Sequence, residues 1–288
     1  MGIGFDNIEI TGWRAAIRGM RNPLNSWDKS DSIFSEYNGD CYEPIDILGS
    51  GIKLDEDNPA YNAFHFYIGP EDKKLMLKLV SSGSDHAKFR RMIIVQMDIT
   101  APLYWWKEFD TYKVGTVANS CSTMHTIHKR PFDIYDFSWE HLVDDDCYAR
   151  VDKRTRHYPI DIFPPLKVLD LVIDSLNKAR ELYLETKDKK YWWQMIQLLP
   201  SSYNQKRTVT LNYEVLANIY KARKNHKLDE WRWFCVRVVE CLPHSELITY
   251  PERFNEQYLY SDDNSLLKVI TDENGKEIAQ VEMNESED

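Results

Sequence analysis

Alternation of apolar and polar side chains is the clearest short-range pattern in the chain. Every second residue of 92–100 falls on one apolar face, which is formed by Ile93, Val95, Met97 and Ile99. A period of two residues is typical of a strand that buries one side. The pattern therefore predicts a β-strand at 92–100.

Helical spacing of apolar residues predicts two helices in the first hundred residues, one before and one after an irregular stretch. The first helix begins at Trp13 and is stopped by Pro23. Its apolar face consists of Trp13, Ala16, Ile17 and Met20. The second, at 71–82, is followed by Gly83, a residue that favours helix C-termini. Its predicted core face consists of Leu75, Met76 and Leu79.

The second half of the chain carries the longest helical patterns. One helix is predicted at 166–185, directly after Pro164-Pro165, because proline is favoured in the first turn. Its apolar stripe consists of Leu169, Val172, Ile173, Leu176, Ala179 and Tyr183. Further helices are predicted at 191–199, 212–225 and 229–241. The fold class is therefore predicted to be α+β, one sheet with long helices concentrated in the C-terminal half.

The chain shows no internal repeat and no clear interdomain linker, so we predict a single domain over residues 1–260. Residues 25–62 are rich in Asp, Ser, Gly and Pro, and this composition indicates an irregular insert. Residues 261–288 form an acidic tail, in which Asn274-Gly275 predicts the turn of a short hairpin.

The stretch 99–125, ITAPLYWWKEFDTYKVGTVANSCSTMH, combines aromatic residues with small hydroxyl-bearing ones. Pro102 predicts the start of a helix, and Gly115 predicts the loop that follows it. Such a density of aromatic and hydroxyl groups suits the lining of a ligand pocket. It also suits a buried aromatic helix that runs into a polar loop. Composition alone leaves both interpretations open.

Charge and cysteine usage narrow the class of protein. The net charge of −10 argues against a broad nucleic-acid-binding surface. The chain has no run of eighteen apolar residues and no signal-peptide pattern, so no membrane span is expected. The five cysteines are scattered without a CxxC pair, which favours reduced thiols. We therefore expect a cytoplasmic protein without membrane or nucleic-acid partners.

Motifs for several common reactions are missing from the sequence. It has no GxGxxG, no Walker A motif and no GxSxG elbow. His125 and His128 are three residues apart, but a pair without a third ligand makes a weak case for a metal site. Ser122 lies near a histidine, yet no acid at a recognisable spacing completes a triad. The residues alone indicate an α+β protein with an aromatic, hydroxyl-rich candidate pocket.

Five elements follow one another between residues 163 and 223: Pro164-Pro165, Leu199-Pro200, Thr210 with Asn212, Asn218, and Arg223. Their order and spacing resemble the C-terminal half of flavin-dependent thymidylate synthases, the ThyX family. By this resemblance Asn212 and Asn218 contact a flavin, and Arg223 contacts a nucleotide base. From the residues alone, Asn212 is a helix cap and Arg223 a solvated helix residue.

The stretch 99–125 then takes the position of that family's signature, an Arg-His-Arg followed by Ser, Asn-Glu, Ser and Arg-Tyr. With one extra residue in the alignment, Tyr112 and Lys113 stand within the Arg-His-Arg. The resemblance implies an FAD-binding set of His86, Tyr112, Lys113, Asn119, Asn212 and Asn218. It implies a substrate-binding set of Ser122, His125 and Arg223, in which Ser122 and Arg223 are catalytic.

Four positions where the family has Arg carry other residues here: Thr111, Lys113, Met124 and Ile196. Arg grips a phosphate with a fork of donors, whereas Met and Ile cannot bind it. The binding site for the phosphate group of dUMP is therefore predicted to be rebuilt or lost.

The resemblance implies an FAD-dependent enzyme that transfers a one-carbon unit from methylenetetrahydrofolate to dUMP or a related pyrimidine nucleotide. NADPH would be the reductant, and the assembly would be a homotetramer with shared active sites. The alternative is a non-catalytic relative that binds nucleotide or flavin, or serves as a scaffold, because a fold by itself does not license a function.

Overall fold

The computed structural model describes residues 3–34, 66–144 and 163–250, together with the backbone of three strands nearer the C-terminus. The strands are β1 (Gly4–Thr11), β2 (Ile33–Phe34), β3 (Phe66–Tyr67), β4 (Ile94–Pro102), β5 (Val117–Ser120), β6 (Asn204–Asn212), β7 (Glu256–Tyr260), β8 (Leu266–Thr271) and β9 (Glu277–Met283). The helices are α1 (Trp13–Arg21), α2 (Pro70–Ser81), α3 (Leu103–Phe109), α4 (Thr123–Thr126), α5 (Pro165–Thr186), α6 (Lys189–Leu198), α7 (Tyr213–Arg223), α8 (Asp229–Cys241) and α9 (Glu246–Thr249).

The main sheet has four strands in the order β1-β4-β6-β5, and β5 pairs antiparallel with β6. The chain divides into two compact units. Unit 1 comprises residues 1–7 and 96–210, and unit 2 comprises residues 8–95 and 211–288. Strands β1, β4 and β6 contribute residues to both units. The predicted α+β class, with long helices in the C-terminal half, is confirmed.

Strand β4 buries the face that its alternation predicts. Val95, Met97 and Ile99 of the strand are buried, and so is Ile93, which directly precedes it. Two other strands of the same sheet, β5 and β6, were not predicted. The four residues of β5 are all exposed, and β6 has only Val209 and Leu211 as buried apolar residues. Neither strand therefore carries an apolar run long enough to stand out in the sequence.

The helical patterns are confirmed at α1 and α5, whose predicted stripes are buried or half-buried. The predicted core face of α2 is wrong in part. Its buried residues are Asp72, Met76 and Val80, whereas Leu75 and Leu79 are half-buried. An aspartate was not expected on a core face, because an ionised carboxylate is buried only where it is paired.

The aromatic stretch resolves into a buried helix followed by a polar loop. Trp105, Trp106 and Phe109 of α3 are buried, and their rings pack edge-on and stacked with centroids 4.9–5.2 Å apart. The loop beyond α3 turns at Gly115, whose φ of 77° lies in the left-handed region that glycine tolerates. A second apolar cluster of unit 1 joins the inner faces of α5 and α6 through Leu176 and Met195.

Unit 2 is built on the contact of α1 with the turn that precedes β4. Gly12 leads into α1 with a φ of 94°, and a Cβ there would lie 1.9 Å from the carbonyl oxygen of Met92. The two backbones can approach so closely only because residue 12 has no side chain. Trp13 packs edge-on against Tyr213 at 5.3 Å, which anchors α1 on α7.

Three strands form a separate sheet near the C-terminus, in the order β7-β8-β9. β8 and β9 pair antiparallel on either side of the predicted Asn274-Gly275 turn. The turn itself lies outside the described residues, as does most of the predicted insert, from residue 35 onward. The described start of that insert contains one short 3-10 turn, Trp27–Lys29, and another, Asn22–Leu24, directly precedes the insert.

Candidate functional site

The residues singled out from the sequence fall into both compact units. Unit 1 holds Tyr112, Lys113, Asn119, Ser122 and His125, and unit 2 holds His86, Asn212, Asn218 and Arg223. The geometry of each set is described within its own unit.

An open pocket of about 340 Å³ lies in unit 1 beside the C-terminal end of α3. We call it the Lys113 pocket, and its lining includes Asp110, Tyr112, Lys113, Thr116, Ala118 and Arg207. Tyr112 is half-buried and Lys113 is exposed at the opening. The hydroxyl of Thr116 donates to the backbone carbonyl of Tyr112 and so closes the turn between them. The structure therefore brings two of the predicted flavin-contacting residues into one pocket.

Arg207 is the cation of this pocket that sequence reasoning missed. Its guanidinium lies 4.3 Å from the ring centroid of Trp106 and forms a 2.9 Å ion pair with Asp110. Its Nε donates to Gln205 Oε1 at 3.0 Å. These contacts fix the plane of the guanidinium, which suits it to hold an anionic group of a planar ligand. Arg207 lies on the same face of β6 as the buried Val209 and Leu211, where alternation predicts an apolar residue rather than a cation, so no local signal marked it.

Asn119 is not brought into the Lys113 pocket. Its strand neighbour Ala118 lines the pocket and pairs with Val209, whereas Asn119 pairs with Thr208. Because successive side chains of a strand point to opposite faces, Asn119 lies on the other side of the sheet. There it belongs to a polar face around Asp98.

Asp98 organises this polar face through three donors. Its carboxylate accepts from Thr208 Oγ1 at 2.6 Å and Asn7 Nδ2 at 2.9 Å, and it pairs with Lys206 at 3.1 Å. The hydrogen bonds from Thr208, Asn7 and Lys206 lower the pKa of Asp98 to about 2. Thr208, the strand partner of Asn119, is thereby held in place.

Asp98→Asn is expected to make the protein less sensitive to acid. A carboxylate whose pKa is lowered on folding contributes stability above its unfolded pKa of about 4, and this contribution is lost as pH falls toward 2. The difference in free energy of unfolding between wild type and Asp98→Asn should therefore shrink steadily from pH 4 to pH 2, measured by urea unfolding. Asp174→Asn, at an exposed position of α5, is the matched control. A wild-type advantage that is the same at pH 2 as at pH 6 would contradict this role.

Ser122 and His125 lie together on the short helix α4. Ser122 is its N-cap, and its Oγ accepts from the backbone N–H of His125 at 3.3 Å. The side chain of His125 is exposed. A capping hydroxyl is fixed in position, and its hydrogen can still be donated to a ligand. The predicted catalytic and substrate-binding roles of the two residues stay predictions.

The predicted residues of α7 are spread along the helix. Asn212 is the N-cap, and its side-chain oxygen accepts from the backbone N–H groups of Glu214 and Val215 at 3.1 and 3.0 Å. Asn218 is exposed in the middle, and Arg223 ends the helix. Eleven residues span roughly 16 Å at 1.5 Å per residue. Asn212 therefore caps α7, as its residue type favours. The cap uses the side-chain oxygen of Asn212, so the amide N–H groups of this side chain are the part left for a ligand.

Arg223 is held in a defined orientation. Its Nη1 lies 2.9 Å from His226 Nε2, and its guanidinium stacks 4.8 Å from the ring centroid of Trp231. The side chain is half-buried, so it is not the freely solvated residue that an isolated helix-end Arg would be. Stacking on an aromatic face preorganises the donors of a guanidinium.

His86 is exposed and precedes the 3-10 turn Ala87–Met92. In the same turn, Arg91 forms a two-pronged contact with Glu214, which includes an Nη2–Oε1 bond of 2.9 Å. The hydrogen bond to Glu214 and its charge raise the pKa of Arg91. A carboxylate of the protein thus occupies the fork of Arg91, which makes Arg91 a poor substitute for the missing phosphate ligands.

Across the described ranges, no three His, Cys, Asp or Glu residues lie close enough to hold a metal ion. In the same part of the chain, no helix has the length and apolar character needed to cross a membrane.

No protein-family model and no curated protein matches this sequence. The fold, however, is similar to solved structures. A flavin-dependent thymidylate synthase ThyX from Helicobacter pylori, complexed with FAD and dUMP, matches with a TM-score of 0.52 and 15% identity over 88% of this chain and 99% of that chain. A second ThyX structure from the same organism, also with FAD and dUMP, matches with a TM-score of 0.53 and 15% identity over 87% and 98%. The chain has a ThyX-like fold.

Proposed function

We propose that this protein is an FAD-dependent thymidylate synthase-like enzyme, which transfers a one-carbon unit from methylenetetrahydrofolate to dUMP or a related pyrimidine nucleotide. The observation that carries the proposal is the fold. It resembles complexes with FAD and dUMP over 98–99% of their chains. The motifs that connect the sequence with the same family supply a second line of support, because they assign the roles residue by residue.

The side chains of the Lys113 pocket suit a cofactor with a planar ring system and phosphates. Lys113 and Arg207 supply two positive charges against the one negative charge of Asp110, and Tyr112 supplies an aromatic wall. Bound FAD would supply the redox chemistry, for which no side chain is adequate. In unit 2, His86, Asn212 and Asn218 would contribute donors to the flavin, with Asn212 using its amide N–H groups.

Ser122, His125 and Arg223 would bind the nucleotide. The fixed guanidinium of Arg223 would donate to the carbonyl edge of the pyrimidine and stabilise negative charge that develops there. The Oγ of Ser122 would donate to the nucleotide while continuing to cap α4.

The remaining parts of the proposal are NADPH as reductant, a homotetramer with shared active sites, and a cytoplasmic location. Sedimentation of the purified protein tests the assembly. Oxidation of NADPH that depends on both dUMP and methylenetetrahydrofolate tests the cosubstrates.

A second candidate function is a non-catalytic relative that binds flavin or nucleotide, or serves as a scaffold. Two observations favour it. Met124 and Ile196 replace phosphate-binding Arg residues of the family, and Arg91 is already paired with Glu214. A protein that binds FAD and dUMP but releases no proton from C5 of dUMP would be this relative.

We expect the purified protein to be yellow or to take up added FAD with a flavin absorption spectrum. Lys113→Ala should weaken FAD binding roughly two- to fivefold, because one exposed ionic contact contributes up to about 1 kcal/mol and 1.4 kcal/mol is a factor of ten. Fluorescence quenching of FAD during titration measures the dissociation constant.

The matched control is Lys107→Ala, which removes an exposed lysine from α3 outside the pocket lining. Wild-type protein that ignores FAD would exclude the flavin enzyme. If Lys107→Ala weakens FAD binding as much as Lys113→Ala does, Lys113 is not a contact of the cofactor, although the protein still binds FAD.

A further inference from the structure

Unit 1 contains a second pocket, of about 250 Å³, that no proposed role uses. We call it the Arg130 pocket. The exposed side chains of Thr126, Lys129 and Arg130 form its rim, and Phe132, Asp136 and Tyr203 lie deeper, buried or half-buried. The pocket therefore combines a polar, cationic opening with an aromatic interior.

Arg130 is fixed by a buried acid. Its Nη1 donates to Asp136 Oδ2 at 2.9 Å, and its Nη2 donates to Oδ1 of the same carboxylate. The side chain of Arg130 is 64% exposed, whereas that of Asp136 is 8% exposed. Asp136 is held in turn by the backbone N–H of Asp133 at 3.0 Å, within a capping box. The carboxylate takes two of the five N–H groups of the guanidinium, which leaves three for other acceptors.

The aromatic interior is equally constrained. The ring of Tyr203 packs edge-on against Phe132 at 6.4 Å and against Phe137 at 5.8 Å. Phe137 and Tyr203 also form a β-bridge, which fixes their backbones. Flat, rigid walls of this kind bind a planar ring with little loss of side-chain entropy.

We infer that the Arg130 pocket binds an anionic group attached to a planar ring. Lys129 and Arg130 carry two positive charges against the single charge of Asp136, so the opening has a net charge of about +1. Asp136 occupies the Nη1–Nη2 pair of Arg130, so an anion would be bound by the N–H groups that Asp136 leaves unused together with the ammonium group of Lys129, and these donors bind carboxylate and phosphate alike. The volume is below the 300–1,000 Å³ that is typical of sites for whole drug-sized ligands. The pocket therefore takes one ring with its acid rather than an entire dinucleotide.

Two kinds of molecule carry this chemistry, an aryl carboxylate and a pyrimidine nucleotide monophosphate. Thr126 at the rim ends α4, the helix that also carries His125, so either kind would lie beside the proposed substrate residues. The inference stands apart from the proposed function, because it requires neither FAD nor turnover.

Isothermal titration of the full chain with 4-aminobenzoate, with 4-aminobenzoyl-glutamate and with UMP tests the inference, and neutral benzamide serves as the comparison. We expect at least one of the three anions to bind tenfold or more tightly than benzamide. The preferred anion identifies the ligand as an aryl carboxylate or a nucleotide. Equal binding of benzamide, or no binding of any anion, would overturn the inference.

Arg130→Lys keeps a positive charge beside Asp136 but loses the guanidinium N–H groups that Asp136 leaves unused, and it should weaken binding of the preferred anion roughly tenfold. Lys129→Ala lies outside the buried pair and should weaken binding roughly two- to fivefold. Arg232→Lys alters a similar Arg–Asp pair on α8, far along the chain from the pocket lining, and should change nothing. If Arg130→Lys fails to fold, Lys129→Ala still decides the question. Binding unaffected by either pocket variant would place the anion elsewhere.

Discussion

Replacing Asp72 with asparagine is expected to lower the free energy of unfolding by about 3–5 kcal/mol, the cost typical of breaking a buried ion pair. The side chains of Asp72 and Arg21 are 0% and 5% exposed, and Asp72 Oδ1 lies 2.6 Å from Arg21 Nε. The variant leaves the Arg21 charge buried without its counter-ion. Urea unfolding at neutral pH measures the loss.

The acid does more than neutralise Arg21. Its second oxygen accepts from the hydroxyls of Ser30 and Ser32, each at 2.6 Å, and from the backbone N–H of Ser32 at 3.2 Å. Between these serines, Asp31 accepts from the backbone N–H groups of Glu71 and Asp72 at 2.9 and 3.0 Å, and so caps α2 from a distant part of the chain. Asp72 therefore joins α1, the segment after it and α2.

The same prediction has a defined pH dependence. Burial alone would raise the pKa of Asp72, but hydrogen bonds from Ser30, Ser32 and Arg21 and the charge of Arg21 together lower it below 3.8. The stabilisation is thus fully present above the unfolded pKa of about 4, and it is lost as pH falls through the folded pKa. The gap between wild type and Asp72→Asn should narrow below pH 4.

Glu71→Gln is the control for Asp72→Asn. It removes a carboxylate from the neighbouring, exposed position of the same helical turn, and it should cost at most about 1 kcal/mol through the helix dipole. A comparable loss in both variants would mean that charge near the start of α2, rather than the buried pair, is responsible.

Arg223→Ala is expected to weaken dUMP binding by the FAD-loaded protein about 10- to 150-fold. Hydrogen bonds that involve a charged donor contribute about 1.5–3 kcal/mol, and 1.4 kcal/mol is a factor of ten. The stacking of Arg223 on Trp231 and its contact with His226 hold its N–H donors in one direction. Water that takes the place of the side chain in Arg223→Ala is not held in this way, so it does not replace the lost hydrogen bonds to dUMP. Calorimetric titration with dUMP measures the affinity.

Arg223→Lys should recover part of the affinity, because it retains the charge but not the planar donors. Arg232→Ala, on the exposed side of α8, is the matched control and should bind dUMP like wild type. Complementation of a thymidine-requiring strain gives an independent readout. Growth that survives Arg223→Ala would remove Arg223 from the proposed role even if the protein proves to be the enzyme.

The sequence was sufficient for the elements whose signal is local. The apolar stripes of α1 and α5 and the alternating face of β4 were predicted correctly, since a side chain's position on a helix or strand follows from its spacing alone. The order and spacing of motifs around Asn212, Asn218 and Arg223 also led to the ThyX-like fold, which the solved structures support. Strands β5 and β6 were missed, because their exposed and polar residues carry little periodic signal.

Only the tertiary structure decided which distant residues meet. Asp72 is 51 residues from Arg21, and Arg207 is 97 residues from Asp110. Neither pair therefore falls within the short stretch of sequence over which helical or strand periodicity is read. The structure also placed Asn119 on the sheet face opposite the Lys113 pocket and assigned the side-chain oxygen of Asn212 to capping α7. Periodicity determines which way a residue faces within its own element. What lies opposite that face depends on how the elements pack, and that is set by the whole chain at once.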